Sequence, residues 1–230
     1  MSIFTIADTH LSLSDDKPMD IFGGWQDYVT RLESNWKALV SDEDTVVIPG
    51  DISWAMSLDG ALRDFSFIHN LPGKKIILKG NHDYWWNTKR KMDAWLESEK
   101  LDTISILHNN AFKVGDYVIC GTRGWFYDAE KSADMKVLLR EASRLDKSIE
   151  EGKKLGDNLI VFLHYPPVMQ SQKCQEIFDV LKKHDIKRCY YGHLHGESTR
   201  HSVNETVDGI KFSLISADFL SFCPQLVEKF

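Results

Sequence analysis

Cysteine is scarce in this 230-residue chain. The four present, Cys120, Cys174, Cys189 and Cys223, form no C-x-x-C pair and no zinc-type spacing, which excludes a disulfide framework and a thiolate zinc site. Two of them sit among apolar or aromatic neighbours ("YVICGT", "KRCYYG") and read as reduced thiols in or near the core. No apolar stretch approaches the roughly 20 residues of a membrane helix. The opening "SIFTIADTH" has no basic region and too short an apolar run for a secretory leader. A soluble, cytoplasmic protein with no membrane partner is therefore expected. Positive charge is also lacking: the formal net charge is -6. That argues against a surface built to hold nucleic acid, so nucleic acid is not an expected partner. There is no internal repeat, low-complexity tract or Pro/Gly/Ser linker, and the expectation is one domain over residues 1–230. No heptad or apolar stripe marks an interface, and the oligomeric state is not legible.

What is present is an alternation. Short apolar runs, "SIFTIA", "TVVIP", "KIILKG", "TISILH", "YVICG", "LIVFLH", "RCYYG" and "IKFSLIS", are rich in β-branched or aromatic residues and are mostly bounded by Gly, Pro, Asp or Asn. They read as strands. Segments of helical period lie between them. Apolar positions spaced by three and four predict helices over Trp25–Val40 and Leu58–Leu71, over Ala129 to about Leu155, and over Cys174–Lys183. The pattern is α/β, with strands buried between helices. A strand-rich C-terminal third points to a partly antiparallel sheet. The 129–155 helix reads as an insertion between two strands.

The chemically suggestive residues collect at strand ends. Asp8 and His10 follow "SIFTIA", Gly50 and Asp51 follow "TVVIP", and Asn81, His82 and Asp83 follow "KIILKG". His164 follows "LIVFL", and His193 and His195 follow "RCYYG". Functional crevices of α/β sheets lie beyond the C-terminal strand ends, so neighbouring strands would bring these groups together. Taken singly, each is ordinary: a Gly-Asp is usually a turn, and "GNHD" also reads as turn chemistry. Together they are harder to dismiss, because five of the nine histidines occupy such positions. The other four, His69, His108, His184 and His201, are assigned to surface or turn. In "GHLH", alternate residues of an extended chain share a face, so His193 and His195 could point at one centre. Asp8, His10, Asp51, Asn81, His164, His193 and His195 are too many for a single zinc ion. They suit two adjacent divalent ions if one carboxylate bridges, an arrangement used for in-line displacement at phosphorus. The ligands leave positive charge over, which suits an anionic phosphate ester.

The blocks "DTH", "GD", "GNHD", the histidine of "FLHYPP" and "GHLH" resemble, in order and type, those of the calcineurin-like metallophosphoesterases. They spread from residue 8 to residue 195. The resemblance implies a two-layer mixed β-sandwich flanked by helices, with metals at the strand ends. It implies that Asp8, His10 and His195 hold one metal, that Asn81, His164 and His193 hold the second, and that Asp51 bridges both. His82 would contact the phosphate or leaving group without binding metal, and Asp83 would brace the turn. The implied activity is hydrolysis of a phosphate mono- or diester by metal-bound hydroxide, on a small phosphorylated substrate. The alternative is a catalytically inactive scaffold, but every ligand position is filled. Asp, Asn and His donors suit manganese, iron, cobalt or zinc, with manganese the first choice.

"GDISWAM" and "GNHD" stand where protein phosphatases of the family carry "GDxVDRG" and "GNHE". The substrate expected is thus a small ester of the kind taken by bacterial phosphoesterases, not a phosphoprotein. Arg123 follows another apolar strand and could pair with phosphate, or form a structural ion pair. Trp54, Trp85, Trp86, Trp125, Phe126 and Tyr127 follow motifs or strand ends. They read as core or rim packing, with base stacking as the alternative.

Overall fold

The computed structural model describes residues 1–15, 17–125, 132–170 and 172–230. Five strands form one sheet. β1 (Ser2–Thr5), β2 (Thr45–Pro49), β3 (Lys74–Leu78) and β4 (Ile104–Ile106) run parallel in that order. The C-terminal strand β13 (Gln225–Lys229) closes the edge, antiparallel to β1. Six strands form the second sheet. Its parallel centre is β6 (Tyr117–Thr122), β7 (Asn158–Leu163), β10 (Arg188–Tyr191) and β12 (Ile210–Leu214). β5 (Phe112–Val114) and β11 (Thr206–Val207) pair antiparallel at its two edges. A short hairpin, β8 (Val168–Met169) with β9 (Gln172–Lys173), stands apart.

The sheets pack face to face, and the two-residue period of a strand decides what lies between them. Ile3, Val47, Ile76, Leu78, Ile119, Ile160, Phe162 and Tyr190 point into the inter-sheet core. Their neighbours Phe4, Val46, Ile48 and Ile77 point outward to helices α1 (Tyr28–Leu39), α2 (Leu58–Asn70) and α3 (Lys89–Ser98). Val118, Cys120, Val161, Leu163, Cys189 and Tyr191 point outward to α4 (Ser132–Lys153) and α5 (Gln175–Lys183). Both faces of each sheet are covered, which is why the strands read as continuous apolar runs. The result is the expected mixed sandwich between helices.

Three helices differ from the sequence expectation. α1 begins at Tyr28, because Asp27 takes a left-handed conformation (φ 53°) that interrupts helix continuity; Trp25 belongs to the loop before it. α3 has few apolar residues; only Met92 and Leu96 are buried, so its period is faint. The segment expected as an insertion is, from residue 132 on, the crossover helix between the adjacent parallel strands β6 and β7. Parallel neighbours require such a connection, and α4 supplies Leu138, Leu145 and Ile149 to the outer core. Residues 129–131 of that expectation lie outside the described residues.

Candidate metal centre

The first sheet supplies Asp8 and His10 after β1, Asp51 one residue beyond the end of β2, past Gly50, and Asn81 to Asp83 after β3. The second supplies His164 directly after β7, and His193 and His195 after β10. The local backbone is unusual. Asp8 (φ 60°), His10 (φ 44°), Asp51 (φ 50°) and His193 (φ 72°) all occupy the left-handed region that L-residues avoid. Each such residue costs roughly 1–3 kcal/mol, and such strain clusters at functional sites. Two glycines are required by close approach. A Cβ on Gly80 would collide with the Asp51 carboxylate, and one on Gly192 with that of Asp8.

Two groups of ligand-type atoms result: Asp8, His10 and His195 in one, Asp51, His164 and His193 in the other. His193 and His195 therefore divide between the groups instead of sharing one. The left-handed His193 backbone breaks the extended geometry on which the shared-face argument depends. Asp51 faces both groups with one atom. Its Oδ2 lies 3.7 Å from His10 Nε2 and 3.5 Å from His164 Nε2, while Oδ1 accepts the His82 backbone N–H at 2.8 Å. Asn81 Oδ1 lies 2.6 Å from His164 Nε2.

Lone pairs converge here. His164 Nδ1 faces the Pro49 carbonyl at 3.1 Å, so Nδ1 carries the proton and Nε2 the lone pair turned toward Asn81 Oδ1. Likewise His195 Nδ1 donates to Asp218 Oδ1 at 2.8 Å. Its Nε2 then faces His10 Nε2 at 3.3 Å and Asp8 Oδ1 at 3.4 Å. Asp8 Oδ1 is buried without a hydrogen-bond partner. An orphaned buried acceptor costs about 1–3 kcal/mol, and cations between these atoms would remove both that cost and the lone-pair repulsion. The donor set, hard carboxylate and amide oxygens with imidazole nitrogens, fits divalent first-row metals.

The electrostatics reflect the crowding. Burial, and then the neighbouring Asp8, push the Asp51 carboxyl up to about 8. Burial also opposes ionisation of Asp8, but His195, His164 and His10 outweigh it and hold the carboxyl below its usual range. Burial, with His164 beside it, takes His193 down to about 3. Burial opposes the His195 cation too, yet Asp8 and Asp218 together raise it to about 10, so with no metal bound a second proton sits on Nε2 in place of the lone pair a metal would use. His10 and His164 are both lowered, mainly by burial. Burial and then Asp51 lift Asp83 to about 7.

His82 is half-buried beside the two groups, its ring 4.5 Å from Trp54 and 5.9 Å from His10. Its Nδ1 meets the Tyr84 hydroxyl at 3.2 Å. Asp83 is fully buried and braces the loops after β2 and β3. It accepts the backbone N–H groups of Gly80 (2.7 Å), Ile52 (2.8 Å) and Asp51 (2.9 Å). A cavity of about 410 Å³ opens over the site, lined by His10, Asp51, His82, His193 and His195 together with Met19, Phe22, Trp25 and Trp54. A more open groove of about 660 Å³ along the β8–β9 hairpin and residues 202–207 contains none of the ligand residues.

Arg123 does not line the cavity among the described residues. Its guanidinium lies 3.6 Å from the buried Glu141 and over the Trp125 ring. Its backbone carbonyl accepts the N–H groups of His164 and Tyr165, so it positions a ligand strand. Trp85 is buried in the first outer core and donates to the Ser53 carbonyl at 3.2 Å; Trp86 and Trp125 pack against the outer cores. Phe126 and Tyr127 lie outside the described residues. His184 is buried, with Asp146 at 2.6 Å, contrary to its assignment to surface or turn, because it caps α5 against α4. The sequence reading missed Asp218, 23 residues beyond its partner and outside any motif. It also missed Met19 and Phe22, which lie in a loop of no periodicity.

A mixed β-sandwich whose two sheets present carboxylates and imidazoles at adjoining strand ends defines a metallohydrolase architecture. The family model for the calcineurin-like phosphoesterases matches residues 1–197. The chain belongs to that family, and so is a hydrolase acting on phosphate esters. A probable cyclic nucleotide phosphodiesterase of Fibrobacter succinogenes is 24% identical over 222 residues, which is 90% of this chain and 77% of that protein. Among solved structures, the protein TT1561 of Thermus thermophilus aligns with a TM-score of 0.61 at 12% identity, covering 98% of this chain and 97% of its own. The phosphopantetheinyl hydrolase PptH of Mycobacterium tuberculosis aligns at 0.54 and 14%, covering 98% and 95%. At such identities these structures speak to the fold alone.

Proposed function

We propose that the protein is a dinuclear metal-dependent phosphohydrolase acting on a small phosphate mono- or diester. Asp8, His10 and His195 would hold one cation and Asn81, His164 and His193 the other, with Asp51 bridging. The carrying observation is that Asp51 Oδ2 lies within 3.7 Å of His10 Nε2 and 3.5 Å of His164 Nε2. One oxygen placed between two ligand groups is what a bridge needs and what a lone structural aspartate does not. Two divalent cations supply an activated water and neutralise charge at phosphorus. Manganese is our first choice among metals that oxygen and imidazole donors accept.

The chain's own residues supply the rest. His82 stands beside the ligands and lines the cavity. With Nδ1 held by Tyr84, its Nε2 is free to give a proton to the departing oxygen. Burial, followed by the nearby His164, lowers its pKa in the free protein; an anionic phosphate beside it restores proton affinity. The name of the Fibrobacter relative supports a diester as the first substrate to try. A binding scaffold is disfavoured because no ligand position, nor His82, is lost.

The test is hydrolysis of para-nitrophenyl phosphate and bis-para-nitrophenyl phosphate with Mn²⁺ added, alongside metal analysis. The wild-type protein should bind two equivalents and turn over at least one ester. Asp51→Asn should lower metal content and activity together, and full occupancy in that variant would sink the bridging role.

A further inference from the structure

We infer that the site selects phosphate esters whose leaving group is a neutral, apolar ring, seated on the wall formed by Met19, Phe22, Trp25 and Trp54. The inference rests on the phosphohydrolase reading and names its substrate class. The cavity has two chemically distinct halves: a floor of ligands and His82, and a wall that is wholly apolar or aromatic. The wall is tied to the ligands. Trp54 stacks on His10 with ring centres 4.8 Å apart at 21°, and its indole N–H donates to Met19 Sδ at 3.3 Å. Trp25 meets His195 edge-on at 5.7 Å and Phe222 at 5.0 Å. Phe22, by contrast, is 52% exposed, and Ile21 next to it is 73% exposed. An apolar side chain at a cavity mouth gains burial only when an apolar group sits against it.

Charge narrows the class. Among the described residues lining the cavity there is no lysine or arginine, so nothing there would hold a second phosphate. Lys17 is nearby, but its ammonium lies over the Trp54 ring at 4.8 Å. Shape narrows it further. Flat side chains accept rings edge-on or offset, and about 410 Å³ is near the lower end of small-molecule sites.

The test compares phenylphosphonate with methylphosphonate, titrated into the Mn²⁺-loaded protein by calorimetry and by tryptophan fluorescence. Phenylphosphonate should bind about tenfold more tightly or better, the effect of one ring contact. Phe22→Ala, at an exposed position and checked for folding by circular dichroism, should reduce that preference to about threefold or less. Equal affinities in the wild-type protein, or a preference untouched by both Phe22→Ala and Met19→Ala, would overturn the inference alone. Tighter phenylphosphonate binding with no hydrolysis of either phenyl phosphate or ethyl phosphate would instead overturn the phosphohydrolase reading and leave the wall standing. Failure of both phosphonates to bind would overturn both.

Discussion

Asp218 illustrates how much of the proposed metal centre lies behind its proposed ligands. One carboxylate oxygen accepts His195 Nδ1–H at 2.8 Å, and the other accepts the Gly196 N–H at 2.8 Å. That fixes the tautomer and turns Nε2 toward Asp8. Groups in this position typically contribute 10–100-fold to metal affinity. Asp218→Asn should therefore weaken metal retention by roughly that factor, measured against a metal buffer without reference to turnover; unchanged affinity would reduce Asp218 to a loop brace. His82 and Tyr84 separate along another line. His82→Asn should keep the metals and lower kcat about 10²–10⁴-fold, the usual contribution of a positioned proton donor. Tyr84→Phe should leave metal content alone, lower kcat more modestly, and shift the pH profile, since the hydroxyl sets which ring nitrogen is free. A Tyr84 variant with an unmoved profile would remove that role. None of these partners announces itself in sequence: a carboxylate outside the motifs and a tyrosine after "GNHD" look like any others.

The elements were legible where one physical rule governs them. Strands buried on both faces must be apolar throughout, so the runs beginning at Ile3, Val46, Ile76 and Leu159 stand out, and with them the positions just past their ends. Elements held by a single side of packing do not. α3 buries Met92 and Leu96 among charged residues, and β5, β8, β9 and β11 are only two or three residues long. The edge strand β13 buries one valine between an exposed leucine and a glutamate. Lys75 is a subtler case, a charge inside the apolar run of β3. It is fully buried, and its ammonium donates to the carbonyls of His69 and Leu71, where α2 ends. A cation there suits the negative end of the helix. Burial nonetheless lowers its pKa to about 8. The folded ammonium thus loses its proton near pH 8 and the unfolded one near 10.5. Between those values the unfolded chain binds more protons, so this group makes stability rise with pH. Urea unfolding from pH 7 to 10 should show the wild-type protein gaining on Lys75→Met by an amount on the order of 3 kcal/mol. A constant difference across that range would mean that Lys75 keeps its proton throughout.

Across the whole molecule, the proposed ligands divide between two sheets that share no strand. Asp8, His10, Asp51 and Asn81 come from the first sheet; His164, His193 and His195 come from the second. Between the sheets lies an apolar core, which holds them without directional preference. Direct polar ties cross between the sheets near the site: His193 N–H to Asp8 Oδ2 at 2.9 Å, His164 Nδ1 to the Pro49 carbonyl at 3.1 Å, and the backbone bonds of Ala7 with Ile215 and Ala217. Cations would add further directional bonds from both sheets to one centre. Metal binding should then stabilise the folded chain as one unit. Binding confined to the folded state contributes about 2.7 kcal/mol at a ligand concentration a hundred times Kd. Chelation should accordingly lower the melting temperature in a single transition, and Mn²⁺ should restore it in a concentration-dependent way. Asn81→Ala, on the first sheet, and His193→Ala, on the second, should each remove most of the metal-dependent increment, because either loss unfastens the same joint. Calorimetry on the two variants decides the matter: if only one of them loses the increment, the cations are anchored to a single sheet and the joint does not exist.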